Sequence, residues 1–136
     1  MFLKNYEVLR SNVLDKNNKA YSKKALEEIV KELKGTNIPI VCKPSRDYSL
    51  DVDIRDIIGK ASDFQYFEGS LLANITLTKE AEDIIKKLEN DGIRLYLSPN
   101  AEGNIVGSIV TELFGFRAFE LTMSPASDWR EPLHVE

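Results

Sequence analysis

The chain has 136 residues, 43% hydrophobic and 29% charged, with a net charge of −4. That length suits one domain with its own core, and the acid excess argues against the basic face that nucleic-acid binding needs. A single cysteine, Cys42, and a single histidine, His134, rule out an internal disulfide and make a zinc site untenable. The opening Met-Phe-Leu-Lys-Asn-Tyr-Glu carries an early acid and no apolar core, unlike a signal peptide, and no apolar run approaches the roughly 20 residues that span a bilayer. The expected setting is a reducing, aqueous compartment with no membrane contact.

Taken in order, residues 2–14 read as an extended segment in which Tyr6, Val8, Leu9, Val13 and Leu14 partly alternate with polar residues. Asp15 to Lys19 is a turn, because Asp and Asn accept the backbone angles that tight turns require. A helix follows: Ser22 caps it, Leu26, Ile29, Val30 and Leu33 recur at helical spacing, and Gly35 ends it. Asn37 to Cys42 predicts a short apolar strand. Pro39 lacks a backbone donor, which places the strand at an edge or the proline at its start. Cys42 alternates with Ile40, the pattern of a buried, inert thiol. Residues 43–53 read as a polar loop, and Asp51, Asp53 and Asp56 as solvated loop acids, not a cation site.

Residues 56–67 and 70–77 predict a hairpin around Glu68-Gly69. A second helix starts at Thr78, with Glu80 and Glu82 at the positive end of its dipole. It is expected to bury Ala81, Ile84, Ile85 and Leu88 and to turn Lys79, Lys86, Lys87 and Glu89 to water, until Asp91-Gly92 ends it. Ile93-Arg-Leu-Tyr-Leu-Ser98 then alternates with a period of two, predicting a central strand that Pro99-Asn100 stops. A loop over 100–104 and strand segments over 105–110 and 113–123 follow, with Gly115 marking a bulge or bend. Gly103 and Gly107 are too sparse for a phosphate-binding loop. In the irregular tail 124–136, Trp129 is expected to fill a pocket, in its own chain or in a neighbour's. These elements make one domain over 1–136, with a core over about 5–123. Its class is α+β: a mainly antiparallel, barrel-like sheet with two packed helices.

Ser98, at the exit of its strand, carries two readings: a nucleophile, or a strand-ending hydroxyl. A nucleophile needs a base within hydrogen-bond reach and donors for the oxyanion. Pro99 cannot donate, His134 lies in the tail, and the remaining base is Lys43, which would have to be desolvated to turn neutral near pH 7.

With these residues in view, the order of features resembles the prohead (capsid-maturation) serine proteases of tailed phages. Lys16 to Ser22 followed by a helix, Cys42-Lys43-Pro44 at a strand end, Ile58-Gly59-Lys60 in a hairpin, Leu95 to Ser98, and Phe119 to Ala126 stand in the family's order over about residues 10–127. The resemblance implies a prohead-protease-like fold and makes Ser98 the counterpart of the catalytic serine. Lys43 stands where the family has its histidine base, and a triad without its base loses orders of magnitude in rate. The resemblance therefore implies a degenerate member: a non-enzymatic virion component of auxiliary or decoration type, assembled in the host cytoplasm. Its partners would be capsid or other virion proteins, in an oligomer or assembly, with no cofactor and no metal. Trp129 and Leu133 are the expected partner contacts. The alternative is an active maturation protease using Ser98, with either Lys43 or a group that the resemblance does not align as base.

Overall fold

A computed structural model of the chain describes residues 1–42, 54–125 and 129–135. Seven strands, β1 (Phe2–Arg10), β2 (Ala20–Tyr21), β3 (Ile38–Val41), β4 (Ile57–Phe67), β5 (Ser70–Leu77), β6 (Tyr96–Val106) and β7 (Ile109–Thr122), form one sheet. Two helices, α1 (Lys23–Glu32) and α2 (Lys79–Asn90), accompany it. Ser22 Oγ accepts from the Ala25 N–H and Thr78 Oγ1 from the Ala81 N–H, so both predicted caps satisfy orphan donors of the first turn.

The strand order is β1-β5-β4-β3-β7, with β6 along the far side of β7 and the short β2 extending the β3 side. The sheet is mixed, not mainly antiparallel: β3 and β2 both run parallel to β7. Pro39 sits at the start of β3, before that strand begins to pair with β7 at Ile40, so its missing donor interrupts no bond on that side. The hairpin at Glu68-Gly69 forms as expected, both residues having positive φ, the geometry that matches the natural strand twist.

Bulges curl this sheet into a half-barrel. Register shifts fall beside Asn5 in β1 and Asp63 in β4, both at positive φ, which Asn and Asp tolerate best. Their side chains are tied together: Gln65 donates to Asn5, the Asn5 N–H to Asn74, and Asn74 to Asp63. A third shift lies in β7 at Gly115, at φ 56°, as the sequence suggests.

One apolar cluster fills the concave side, drawing Leu26, Ile29 and Leu33 from the first helical region, Ala81 and Ile85 from α2, and Phe119 from β7. Phe119 stacks on Phe64 at 6.3 Å and meets Phe116 at 5.3 Å, and its complete burial contributes about 2–3 kcal/mol. Ile84 departs from expectation, being 57% exposed: α2 turns Ala81 and Ile85 fully to the core, with Leu88 partly buried beside them. The cluster also reaches past residue 123, for Leu133 and Val135 belong to it.

Candidate functional site

The curl brings the two edge strands, β1 and β6, to face each other across a seam, and residues 129–135 close it. Arg130 is buried there and donates from one nitrogen to Val8 O of β1 and Leu97 O of β6, both at 2.7 Å. Burial pulls its guanidinium below the usual arginine range, an effect the nearby phenols of Tyr6 and Tyr21 oppose. The Leu133 N–H donates to Leu95 O, and Tyr6 OH to Glu131 O. Trp129 is half-buried between two guanidinium groups, Arg10 at 4.8 Å and Arg130 at 4.9 Å from its ring centre. Leu133, expected to meet a partner, is 2% exposed and packs in the core of its own chain, so it is not available to a neighbour.

Ser98 lies close to this seam, but not at a strand exit. β6 continues through Pro99 and through the expected 100–104 loop to Val106, and Gly107-Ser108 turns it into β7. The expected strand over 105–110 is therefore the tip of a hairpin. Proline is tolerated because β6 pairs with β7 alone: it is an edge strand, not a central one, and the absent N–H costs no ladder bond on the open side.

Alternation then sorts the side chains. Leu97, Pro99, Phe119 and Leu121 share the core face, while Ser98, Asn100, Ala118 and Glu120 share the other, where Ser98 stands opposite Glu120 and Asn100 opposite Ala118. Val41 of β3, which pairs with Glu120, is buried on that second face, as is Ala118, outside the main apolar cluster. Glu120 is nearly buried and is engaged by a polar neighbour. Ser98 is half-buried, and its hydroxyl has no hydrogen-bond partner among the described residues.

The structure does not bring His134 to Ser98. His134 is paired with Glu89 of α2, which holds the Glu89 carboxyl below the usual range. Its neighbour Leu133 bonds to Leu95, so His134 stands three or more strand positions from Ser98, roughly 10 Å. Lys43 lies outside the described residues, as do the polar loop and its acids Asp51 and Asp53. Cys42 is exposed, not buried: it follows the last residue of β3 and has left the sheet, so the alternation from Ile40 no longer applies. Among the described residues no group of three or more His, Cys, Asp and Glu side chains could hold a metal, and no helix is long and apolar enough to cross a membrane.

Two side chains that the sequence did not single out mark this face. Asn100 is 2% exposed, and its Oδ1 is buried without a hydrogen-bond partner. Arg117, in the Gly115 bulge, gives its Nη2 to Glu102 at 2.5 Å, while its Nη1 is buried and unpaired. A buried polar atom left unpaired costs about 1–3 kcal/mol, and native structures carry few of them. Reading Pro99 as a stop hides Asn100, whose alternation with Ser98 is otherwise visible; nothing in the sequence signals Arg117.

No family profile and no curated protein sequence matches the chain. Among solved structures it is similar to gp21, the capsid assembly protease of bacteriophage T4, at a TM-score of 0.63 and 13% identity over 88% of this chain and 90% of that one. The likeness spans both chains almost end to end and shows the fold: a half-barrel of phage capsid-protease type.

Proposed function

We propose that the chain is a non-enzymatic, capsid-associated phage protein, an auxiliary or decoration subunit built on the capsid-protease fold. The fold supports the capsid setting, since its structural neighbour is a capsid assembly protease. The observation that carries the loss of chemistry is the place of Ser98. It sits within a continuous paired strand, followed by a proline that cannot donate to an oxyanion, and the chain's histidine is held by Glu89 several positions away. Trp129, half-buried at the seam, is the residue of the tail best placed to meet a partner, since Leu133 is spent on the chain's own core. The protein would then reside in the virion, bound to capsid or other virion proteins.

One observation favours a second reading. The Ser98 hydroxyl is unpaired among the described residues and faces the carboxylate-bearing Glu120, so an active protease, with Lys43 as base, is the competing proposal. A serine-directed fluorophosphonate separates the two. The first reading expects no labelling between about pH 6 and 9, where a tuned base operates, together with co-sedimentation with particles assembled from the capsid protein of the same genome. Labelling that disappears in both Ser98→Ala and Lys43→Ala would overturn it.

A further inference from the structure

We infer that the cleft between the end of α2 and the tail is a binding site for a carboxylate group, held by Arg94 and by the outer nitrogen of His134. The site goes beyond the capsid-associated reading and depends neither on it nor on Ser98. The cleft has a volume of about 520 Å³ and is lined by Glu89, Gly92, Arg94, Pro132, Leu133 and His134. Its walls have local causes. Gly92, at φ 81°, ends α2 and turns the chain toward β6, and the Leu133 N–H donates to Leu95 O, which ties the tail along that connection. Arg94 and His134 are each next in sequence to one member of this bonded pair, and both line the one opening.

The charges of the lining select the ligand. Glu89 is already engaged: one carboxylate oxygen meets His134 Nδ1, and the other accepts the Val135 N–H at 3.4 Å. Because a carboxylate faces Nδ1, that nitrogen carries the ring proton, and the protonated ring offers its second N–H at Nε2. Arg94 is exposed and makes no hydrogen bond or ion pair among the described residues. It acts through space on Glu89, whose carboxyl is held below the usual range first by His134 and more weakly by Arg94. With the imidazole protonated, two cations face one engaged anion. A cation would meet both, a neutral group would leave the surplus charge unanswered, and a phosphate dianion would overshoot it and meet Glu89. A carboxylate balances it, one oxygen accepting from the Arg94 fork and the other from Nε2–H. Pro132 and Leu133 supply an apolar wall for the carbons that carry the carboxylate, and the volume admits a side chain and not only a bare ion. The charged groups of the cleft around the imidazole are Glu89 from α2 and Arg94 from the connection to β6, so loss of the Nε2 proton leaves Arg94 as the remaining cation.

His134 is the single histidine of the chain, so its ring resonances report on this site directly. The test is titration of the full chain followed by NMR at that ring. Propionate stands for an acidic side chain, N-acetylglycine for the carboxylate at the end of a polypeptide, and inorganic phosphate and sodium chloride at equal ionic strength are the controls. The expected result is a saturable shift with a carboxylate at pH 6, in the millimolar range that so small a ligand allows, and binding at least threefold weaker at pH 8. Whichever carboxylate binds more tightly identifies the source. Arg94→Met, at an exposed position, is expected to weaken binding at least tenfold. Lys86→Met, which removes an exposed cation of α2 outside the cleft, is expected to leave it unchanged. A shift matched by chloride, no saturable response to either carboxylate, or binding unaffected by Arg94→Met would each overturn the site. An equal loss in Lys86→Met would reduce the effect to general surface charge, and phosphate binding as tight as that of the carboxylates would overturn the assignment of the ligand.

Discussion

Two arginines meet β6, and the fold treats them in opposite ways. At its start, Arg130 is buried and its Nη1 donates to carbonyls on both sides of the seam, Val8 O and Leu97 O. Further along, Arg117 is anchored to Glu102 through Nη2 and keeps its Nη1 buried and unpaired, as Asn100 does its Oδ1. Hydrogen bonds from a buried guanidinium fasten two strands together, while a buried polar atom left unpaired carries its desolvation cost. The seam is therefore where the fold is fastened, and the two unpaired atoms are where it forgoes stability.

The largest expected effect tests the structural half. Arg130→Ala removes two charge-assisted hydrogen bonds and leaves two carbonyls at a buried seam, which should cost about 3 kcal/mol. The loss reads as a lowered urea midpoint at unchanged m. Arg117→Ala removes an exposed-side ion pair and an unpaired nitrogen, so its cost should stay below about 1 kcal/mol. Equal losses for the two would erase the distinction between them.

The seam should also respond to alkali. Burial pushes Tyr6 up to about 12 from an ordinary value of 10.0, so the folded chain keeps a phenol proton that the unfolded chain releases. The stability this represents is whole below about pH 10 and is lost as pH rises toward about 12, which follows from the folded state binding the extra proton. Tyr6→Phe removes the bond to Glu131 O, at a cost of about 1 kcal/mol near neutrality, and should flatten that alkaline fall. It should not abolish it, because burial raises Tyr21 as well. An alkaline unfolding profile identical to that of the native chain would show that Tyr6 does not hold the tail.

Much of this architecture is written in local pattern. Helix caps at Ser22 and Thr78, the turn at Glu68-Gly69 and the bulge at Gly115 each depend on residues within a few positions, and each forms where the sequence places it. The failures have long-range causes. Pro99 looks like a stop unless β6 is known to be an edge strand, and that depends on a partner across the sheet. Parallel pairing of β3 and β2 with β7 joins segments far apart in sequence, so period and composition cannot announce it. Leu133 and Arg130 look like polar-tail residues until the curl of the sheet supplies the seam they fill. The serine was legible as a candidate; the orphaned pair beside it was not, because an unpaired atom is defined by everything around it.

The smallest expected effect is the one that most sharpens the comparison. Asn100→Leu keeps the number and branching of the side-chain heavy atoms, at somewhat greater bulk, and removes a buried acceptor that has no donor, so where the site takes up its methyls the folded chain should gain about 1 kcal/mol. Asn100→Ala removes the same acceptor but opens a gap, and should gain less or lose stability. If Asn100→Leu instead loses more than about 1 kcal/mol in urea unfolding, Asn100 already has a partner that stabilises the free protein. In that case the face it shares with Ser98 is sealed in the way that Arg130 seals the seam.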